Sequence, residues 1–261
     1  MLSRLPHTTP WARLCAHDQP SGRCKLTMAN SAISPLAAGS PPRRTAQSGN
    51  VKVTRGDWLD VALNALAIDG VDHVTVLNLS ERLGVSRSSF YWYFKNRDEL
   101  LVALLNRWDR LNTRSIVTQA EELAATVNEA VCNVFRCWVN PAIFSPRLDF
   151  AVREWARRSV HVRKALDRSD RVRTEAVKAL FVRFGYDEGD ALARARVLYY
   201  MQIGYYALDL REPIEARLNL TPHYLEAFTG VGPSEAEVDA FRAYALRHAH
   251  IPDFDPSRGR P

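Results

Sequence analysis

From Thr54 onward, apolar residues recur along the chain at helical spacing, and no stretch alternates with the period of two that marks a strand. Trp58, Val61, Ala62, Ala65 and Leu66 predict a first helix over Thr54–Ile68. Thr54 suits the N-cap, and Asp57 supplies a carboxylate near the positive helix end. Asp69-Gly70 stops the helix, with Gly70 fitted to a left-handed cap. Thr75 is placed to cap a second helix with an apolar stripe of Val76, Leu79 and Leu83, and Gly84 turns the chain. Ser86 is placed to cap a third helix that runs to about Phe94. Asn96 opens a fourth that continues through Leu100, Leu101, Leu104, Leu105 and Trp108. The rest reads as helix to about residue 250, broken at Asn140-Pro141, Ser145-Pro146, Gly185, Glu212-Pro213, Thr221-Pro222 and Gly230–Pro233.

Two short helices joined by a tight turn make a unit that presents its second helix to a DNA major groove. Phe90 and Phe94 share one face of that helix and point at Leu79 and Leu83. Ser88, Tyr91 and Trp92 point away, with Arg87 at one edge and Tyr93 on the other flank. A thin three-helix unit cannot bury all five rings, so some of them remain for groove or backbone contact. Arg87 can donate two hydrogen bonds to guanine, and Ser88 and Ser89 are small enough to approach a base edge. Tyrosine hydroxyls can reach phosphate oxygens. Arg97, in the first turn of the fourth helix, adds charge where free backbone N–H groups already favour a phosphate.

Composition narrows the class. The 261 residues are 46% hydrophobic and 25% charged, as in a globular protein, with a formal net charge of +6. The uncompensated positive charge lies early: Arg4, Arg13, Arg23, Lys25, Arg43, Arg44, Lys52 and Arg55 are accompanied by Asp18 as the only acid. Residues 1–50, rich in Pro, Ser, Ala, Thr and Gly, predict a disordered basic tail, and IPDFDPSRGRP over 251–261 a frayed one. Met28 lies inside the first tail and offers an alternative start for the native chain. No apolar run reaches the roughly 18 residues of a membrane span, and no apolar leader opens the chain. Cys15, Cys24, Cys132 and Cys137 lack Cys-x-x-Cys spacing, so a reduced, cytoplasmic protein is expected.

Asp69–Leu101, DGVDHVTVLNLSERLGVSRSSFYWYFKNRDELL, resembles the N-terminal DNA-binding domain of the TetR family of bacterial repressors. The matching features are Gly70, Thr75, Leu79, the Leu83-Gly84-Val85-Ser86 turn, Phe90-Tyr91-x-Tyr93-Phe94, Asn96-Arg97 and Leu100-Leu101. The resemblance implies that Arg87, Ser88 and Ser89 face bases, that Tyr91 meets the backbone or a base edge, and that Thr75, Tyr93 and Arg97 hold phosphates. Trp92 is added to the DNA-facing set by its position on the outer side. Arg97 stands where the family usually has lysine, Tyr93 where histidine is frequent, and Ser80 where alanine is common.

The expected architecture is all-α. A three-helix helix-turn-helix domain over 51–98 precedes a larger helical ligand-binding and dimerisation domain over 99–250. The resemblance implies a small-molecule effector for that body. Trp108, Phe135, Trp155, Phe181, Tyr199, Gln202 and Tyr205 are the candidate pocket residues, with Arg136, Arg153 and Glu154 as further polar candidates. The helix over Asp187–Leu210 is apolar around most of its circumference past Arg196. With the helix around Glu235–His248, it suits a four-helix contact in a homodimer. The basic run from Arg153 to Arg173 is interleaved with acids and reads as a solvated helix face. The histidines are scattered, and no phosphate loop or nucleophile elbow is present, so no catalysis, cofactor or metal is expected. The partners expected are double-stranded operator DNA, an effector and a second copy, with no membrane. The competing reading is a helical small-molecule-binding protein or enzyme whose DNA unit is idle.

Overall fold

A computed structural model describes residues 53–210 and 212–249, and among these every regular element is helical. The expected tails, with Met28, lie outside the described residues. The first helix, α1, is Arg55–Asp69, and a short 3₁₀ turn over Val71–His73 leads to α2, Val76–Leu83. A 3₁₀ segment, Arg87–Trp92, is followed by α3 (Arg97–Trp108), a π-turn (Asp109–Thr113) and α4 (Arg114–Glu121). The body continues as α5 (Val127–Val139), α6 (Pro146–Ala156), α7 (Val160–Arg183), α8 (Glu188–Ala207), α9 (Ile214–Asn219), α10 (Thr221–Thr229) and α11 (Glu235–His248).

The caps explain the boundaries. Thr54 and Asp57 form a reciprocal capping box on α1, as Ser234 and Glu237 do on α11. Thr75, Asn96, Thr126, Ser145, Ser159 and Asp187 each accept from a first-turn N–H of the helix that follows. Ser86 does not: its hydroxyl pairs with that of Ser88 at 2.8 Å instead. Gly84 adopts the left-handed conformation, φ 65° and ψ 31°. Gly70 has a positive φ of 86° but an extended ψ of 173°, so it swings the chain out rather than wrapping the helix end.

Two apolar clusters form. One gathers α4, α5, the C-terminal half of α7, and α8 to α11. The other joins α1, α2, the Arg87–Trp92 segment and α3 to α6 and the start of α7. Leu148, Val152, Trp155 and Leu166 therefore complete the core that begins with Trp58, Phe90 and Phe94. The boundary expected at residue 98 falls inside α3, whose Leu100, Leu104 and Trp108 belong to that same core.

A charged seam lies where the clusters meet. Asp149 Oδ1 accepts from Trp108 Nε1 at 2.9 Å, from Asn112 Nδ2 at 3.3 Å and from Arg173 Nη1 at 2.8 Å. Its Oδ2 accepts from Arg153 Nε at 3.1 Å. Arg153 also clamps Asp170 with two hydrogen bonds, 3.0 and 2.7 Å, and donates to Tyr199. Arg173, wholly buried, donates to Thr113 and to Tyr199 and lies 5.1 Å from the Trp108 ring centre. Burial alone would raise the Asp149 pKa, but Arg173, Arg153 and the Trp108 N–H hold it below the ordinary value. The wider π-turn helps build the seam: it lets α3 run into α4 while Asn112 and Thr113 face inward. The expectation of a solvated basic face thus fails for Arg153 and Arg173, and holds for Arg157, Arg158, Arg163, Lys164, Arg168 and Arg171, which are exposed.

Candidate functional site

The Arg87–Trp92 segment is fixed from beneath and open above. Phe90 is wholly buried, edge-on to Trp58 at 5.3 Å and stacked on Phe94 at 5.3 Å. Leu79 lies in the same core and Leu83 packs against it, as their spacing predicts. Ser80 is buried with its hydroxyl on the Leu77 carbonyl, so α2 keeps a small residue at a close contact. On the outer side Arg87 and Ser88 are exposed, Ser89 is half-buried, and Tyr91 and Trp92 are 60% and 84% exposed. An indole this open cannot be explained by packing within the chain. The segment is a 3₁₀ turn ending at Trp92, shorter than the helix expected to reach Phe94. Its N–H groups follow i→i+3 bonds, and Ser89 Oγ donates back to Ser86 O at 2.8 Å, which tightens the turn.

Three expected phosphate contacts sit differently. Thr75 is half-buried and accepts from Asn78 N–H, leaving its hydroxyl proton free to donate outward. Tyr93 is half-buried and spends its hydroxyl proton on the Val53 carbonyl at 2.6 Å. Arg97 turns inward, with Nε donating to Val74 O at 2.6 Å and Nη2 to Val71 O at 2.8 Å. Its guanidinium therefore ties the turn before α2 to the start of α3, adding a second donor to the Val71 carbonyl, which already accepts the Val74 N–H at 3.1 Å, and supplying one to the Val74 carbonyl. Lys95, exposed in the loop between Tyr93 and α3, escapes the sequence pattern because Arg97 already fills the basic position there. Arg55, also exposed, lies over the Phe94 ring at 4.7 Å.

The candidate pocket residues scatter. Trp108 and Trp155 are buried in the core beneath the Arg87–Trp92 segment, Trp108 bound to Asp149. Phe181 is wholly buried and meets Tyr186 edge-on. Tyr199 belongs to the charged seam, and its environment raises its pKa mainly through burial. Arg136 lies over Tyr244, and Glu154 is exposed beside Arg157. Phe135, Gln202 and Tyr205 alone come together, lining one cavity with Trp138, Tyr224 and Arg217. Larger clefts of about 600 and 470 Å³ lie between the end of α1 and α6, and between the α3–α4 passage and α7.

Cys132 and Cys137 are buried, and burial pushes both thiols up to about 12. Among the described residues no group of His, Cys, Asp and Glu could hold a metal ion, and no helix is long and apolar enough to cross a membrane.

A helix-turn-helix with an open aromatic and basic segment, carried on a helical body, is an arrangement that can present that segment to a DNA major groove. The profile described as bacterial regulatory proteins, tetR family, matches residues 59–104, so the helix-turn-helix part of the chain is similar to that family. It is 26% identical over 154 residues to the tetracycline repressor protein class C of Escherichia coli, covering 59% of this chain and 64% of that protein. It is 36% identical over 64 residues to the transcriptional regulator TtgR of Pseudomonas putida, covering 24% of this chain and 30% of that one. The matches thus span less than two thirds of these relatives. A crystal structure of a putative TetR-family regulator from Rhodococcus sp. aligns over 75% of this chain and 98% of its own, with 16% identity and a TM-score of 0.45.

Proposed function

We propose that the protein is a ligand-responsive repressor that binds a pseudo-palindromic operator as a homodimer, in the cytoplasm. The observation that carries this reading is the outer face of the Arg87–Trp92 segment: Tyr91 and Trp92 stand open while Phe90 locks the segment to the core. In this reading Arg87, Ser88 and Ser89 read base edges. Tyr91 and Trp92 pack on thymine methyls or sugar, and Thr75 and Lys95 hold phosphates. Tyr93 and Arg97 act from behind, by fixing the loops that carry those groups. Two-fold symmetry sets the half-sites about one helical turn, or a multiple of it, apart. The dimer reading is supported by an exposed stripe on α8, where Ala193, Val197, Tyr200 and Ala207 follow helical spacing. Ala236, Ala240, Ala243 and Leu246 form a matching one on α11. An effector that favours a conformation with the wrong spacing of the two recognition segments lowers operator affinity.

The test is binding of the full chain to DNA upstream of its own gene, against scrambled DNA, at two salt concentrations. Tight, sequence-dependent and salt-sensitive binding is expected. Equal weak binding to both, followed by failure to enrich any site from random sequence, refutes the reading.

A further inference from the structure

The small cavity between α5, α8 and the α9–α11 helices holds a polar group that the protein does not use. Gln202 is 6% exposed, lines the cavity, and its Nε2 makes no hydrogen bond to any described residue. The buried Tyr206 hydroxyl lies near enough to feel the Gln202 amide, yet the two do not meet in hydrogen-bond geometry and both stay unpartnered. An amide N–H buried without an acceptor costs stability, and a leucine would pack these surroundings as well. Arg217, on the same cavity, lies 5.1 Å from the Tyr205 ring centre and has no described carboxylate within ion-pair range. The acid at the cavity edge, Glu212, already accepts the Tyr205 hydroxyl at 2.9 Å. Arg217 and the Gln202 amide N–H therefore offer two donors beside the cavity, next to the Gln202 side-chain carbonyl, which also lacks a described partner. The remaining walls are aromatic, chiefly Trp138, Tyr205 and Tyr224.

We propose that this cavity takes a planar aromatic molecule bearing a carbonyl or carboxylate oxygen, with the oxygen on Gln202 and Arg217 and the ring among Trp138, Tyr205 and Tyr224. The inference rests on the ligand-responsive reading above and names the ligand class for it. Donors of this kind reject an analogue that lacks the oxygen, because the amide is then left unpaired. The cavity measures about 60 Å³, room for roughly two water molecules. Seating a ring requires α9 and α10 to move outward. These helices cover the cavity, are short, and are joined through Leu220 alone. Tyr199 lies one turn before Gln202 on the buried face of α8, so a shift there reaches the charged seam.

The experiment titrates the full chain with naphthoate, using naphthalene as the ring without the oxygen, followed by tryptophan fluorescence and calorimetry. Saturable naphthoate binding is expected, weakened roughly tenfold or more in Gln202→Leu. Naphthalene binding should be unchanged or stronger in that variant, and the melting temperature equal to or above wild type. Gln202→Glu, which keeps the shape and adds a repelling charge, should abolish naphthoate binding, and Arg217→Met should weaken it. Absence of saturable naphthoate binding overturns the assignment, as does equal binding by wild type and both Gln202 variants. Operator affinity measured with and without naphthoate separates the two readings. Binding through Gln202 that leaves operator affinity unchanged keeps this site and sinks the ligand-responsive reading. A response that persists in Gln202→Leu keeps the responsive reading and overturns this site.

Discussion

Asp149→Asn is the sharpest probe of how the recognition segment is joined to the body. The side chain is 5% exposed and accepts four hydrogen bonds, two of them from arginines. Asparagine keeps the shape but removes the charge and turns an N–H₂ group toward a donor. Arg173 then retains only Thr113 and Tyr199, while Arg153 retains its two-point grip on Asp170. Removing one partner of a buried pair costs about 3–5 kcal/mol, and the surviving partners put this case near ~3 kcal/mol. For a domain of this size that is roughly 6–12 °C in melting temperature. Urea unfolding at one fixed protein concentration, followed by tryptophan fluorescence and circular dichroism, measures the loss. Arg173→Met should also destabilise, and the double variant should cost less than the sum by about 2 kcal/mol, because the pair interacts directly. The pH dependence has a fixed sign. The folded pKa of Asp149 lies below 3.8, so its contribution is complete above that pH and is lost as pH falls toward the folded value. The gap between wild type and Asp149→Asn should therefore be constant near neutrality and shrink on acidification below about 4. Additive single variants, or an Asp149→Asn loss under about 1 kcal/mol, would refute the reasoning.

Trp92→Ala should leave the urea midpoint unchanged, since the indole is 84% exposed, yet weaken operator binding by roughly tenfold or more in a titration. Arg97→Ala should cost about 1–3 kcal/mol of stability through the lost bonds to two loop carbonyls, with no change in the salt slope of DNA binding. Lys95→Ala should do the reverse, lowering that slope by about one with little effect on stability. Gly84→Ala places a side chain at φ +65° and should cost about 1–2 kcal/mol in thermal unfolding.

Much of the fold is written in local pattern. Thr54, Thr75 and Asn96 cap the helices that their spacing predicts, and Phe90 and Phe94 face inward as their shared face requires. Pro146 opens α6 at its first position, Pro213 precedes α9, and Gly185 takes a positive φ of 88° just past α7, each where its backbone preference suits a helix boundary. What was not legible depends on pairing across distance. Arg97 looks like a surface cation in sequence because nothing local reveals that it will fold back onto the Val71 and Val74 carbonyls, more than twenty residues away. Arg153 and Arg173 look solvated for the same reason: their partners, Asp149, Thr113 and Tyr199, sit on three other elements. The π-turn carries no proline or glycine to announce it. Among the pocket candidates, aromatic character could not separate core from cavity, since Phe181 and Tyr205 differ only in what packs around them.

The seam also bears on how an effector in the body could be felt at the DNA. α3 begins three residues after Phe94 and ends at Trp108, whose indole N–H is held by Asp149. Tyr199 reaches the same seam from α8 through Arg153 and Arg173. A packed joint of buried charges does not deform smoothly: its hydrogen bonds share donors and acceptors and are mutually dependent, so it holds one arrangement or exchanges it for another. Small motions of α8 are therefore absorbed. A displacement large enough to take the Tyr199 hydroxyl off both arginines frees α6 and α7 to move, and with them the core that supports Phe90. Weakening the seam by Asp149→Asn should accordingly lower operator affinity without touching the DNA-facing residues. If operator affinity stayed at the wild-type value while stability fell, the seam would be structural only, and the link between body and recognition segment would have to run through the α1–α6 contact instead.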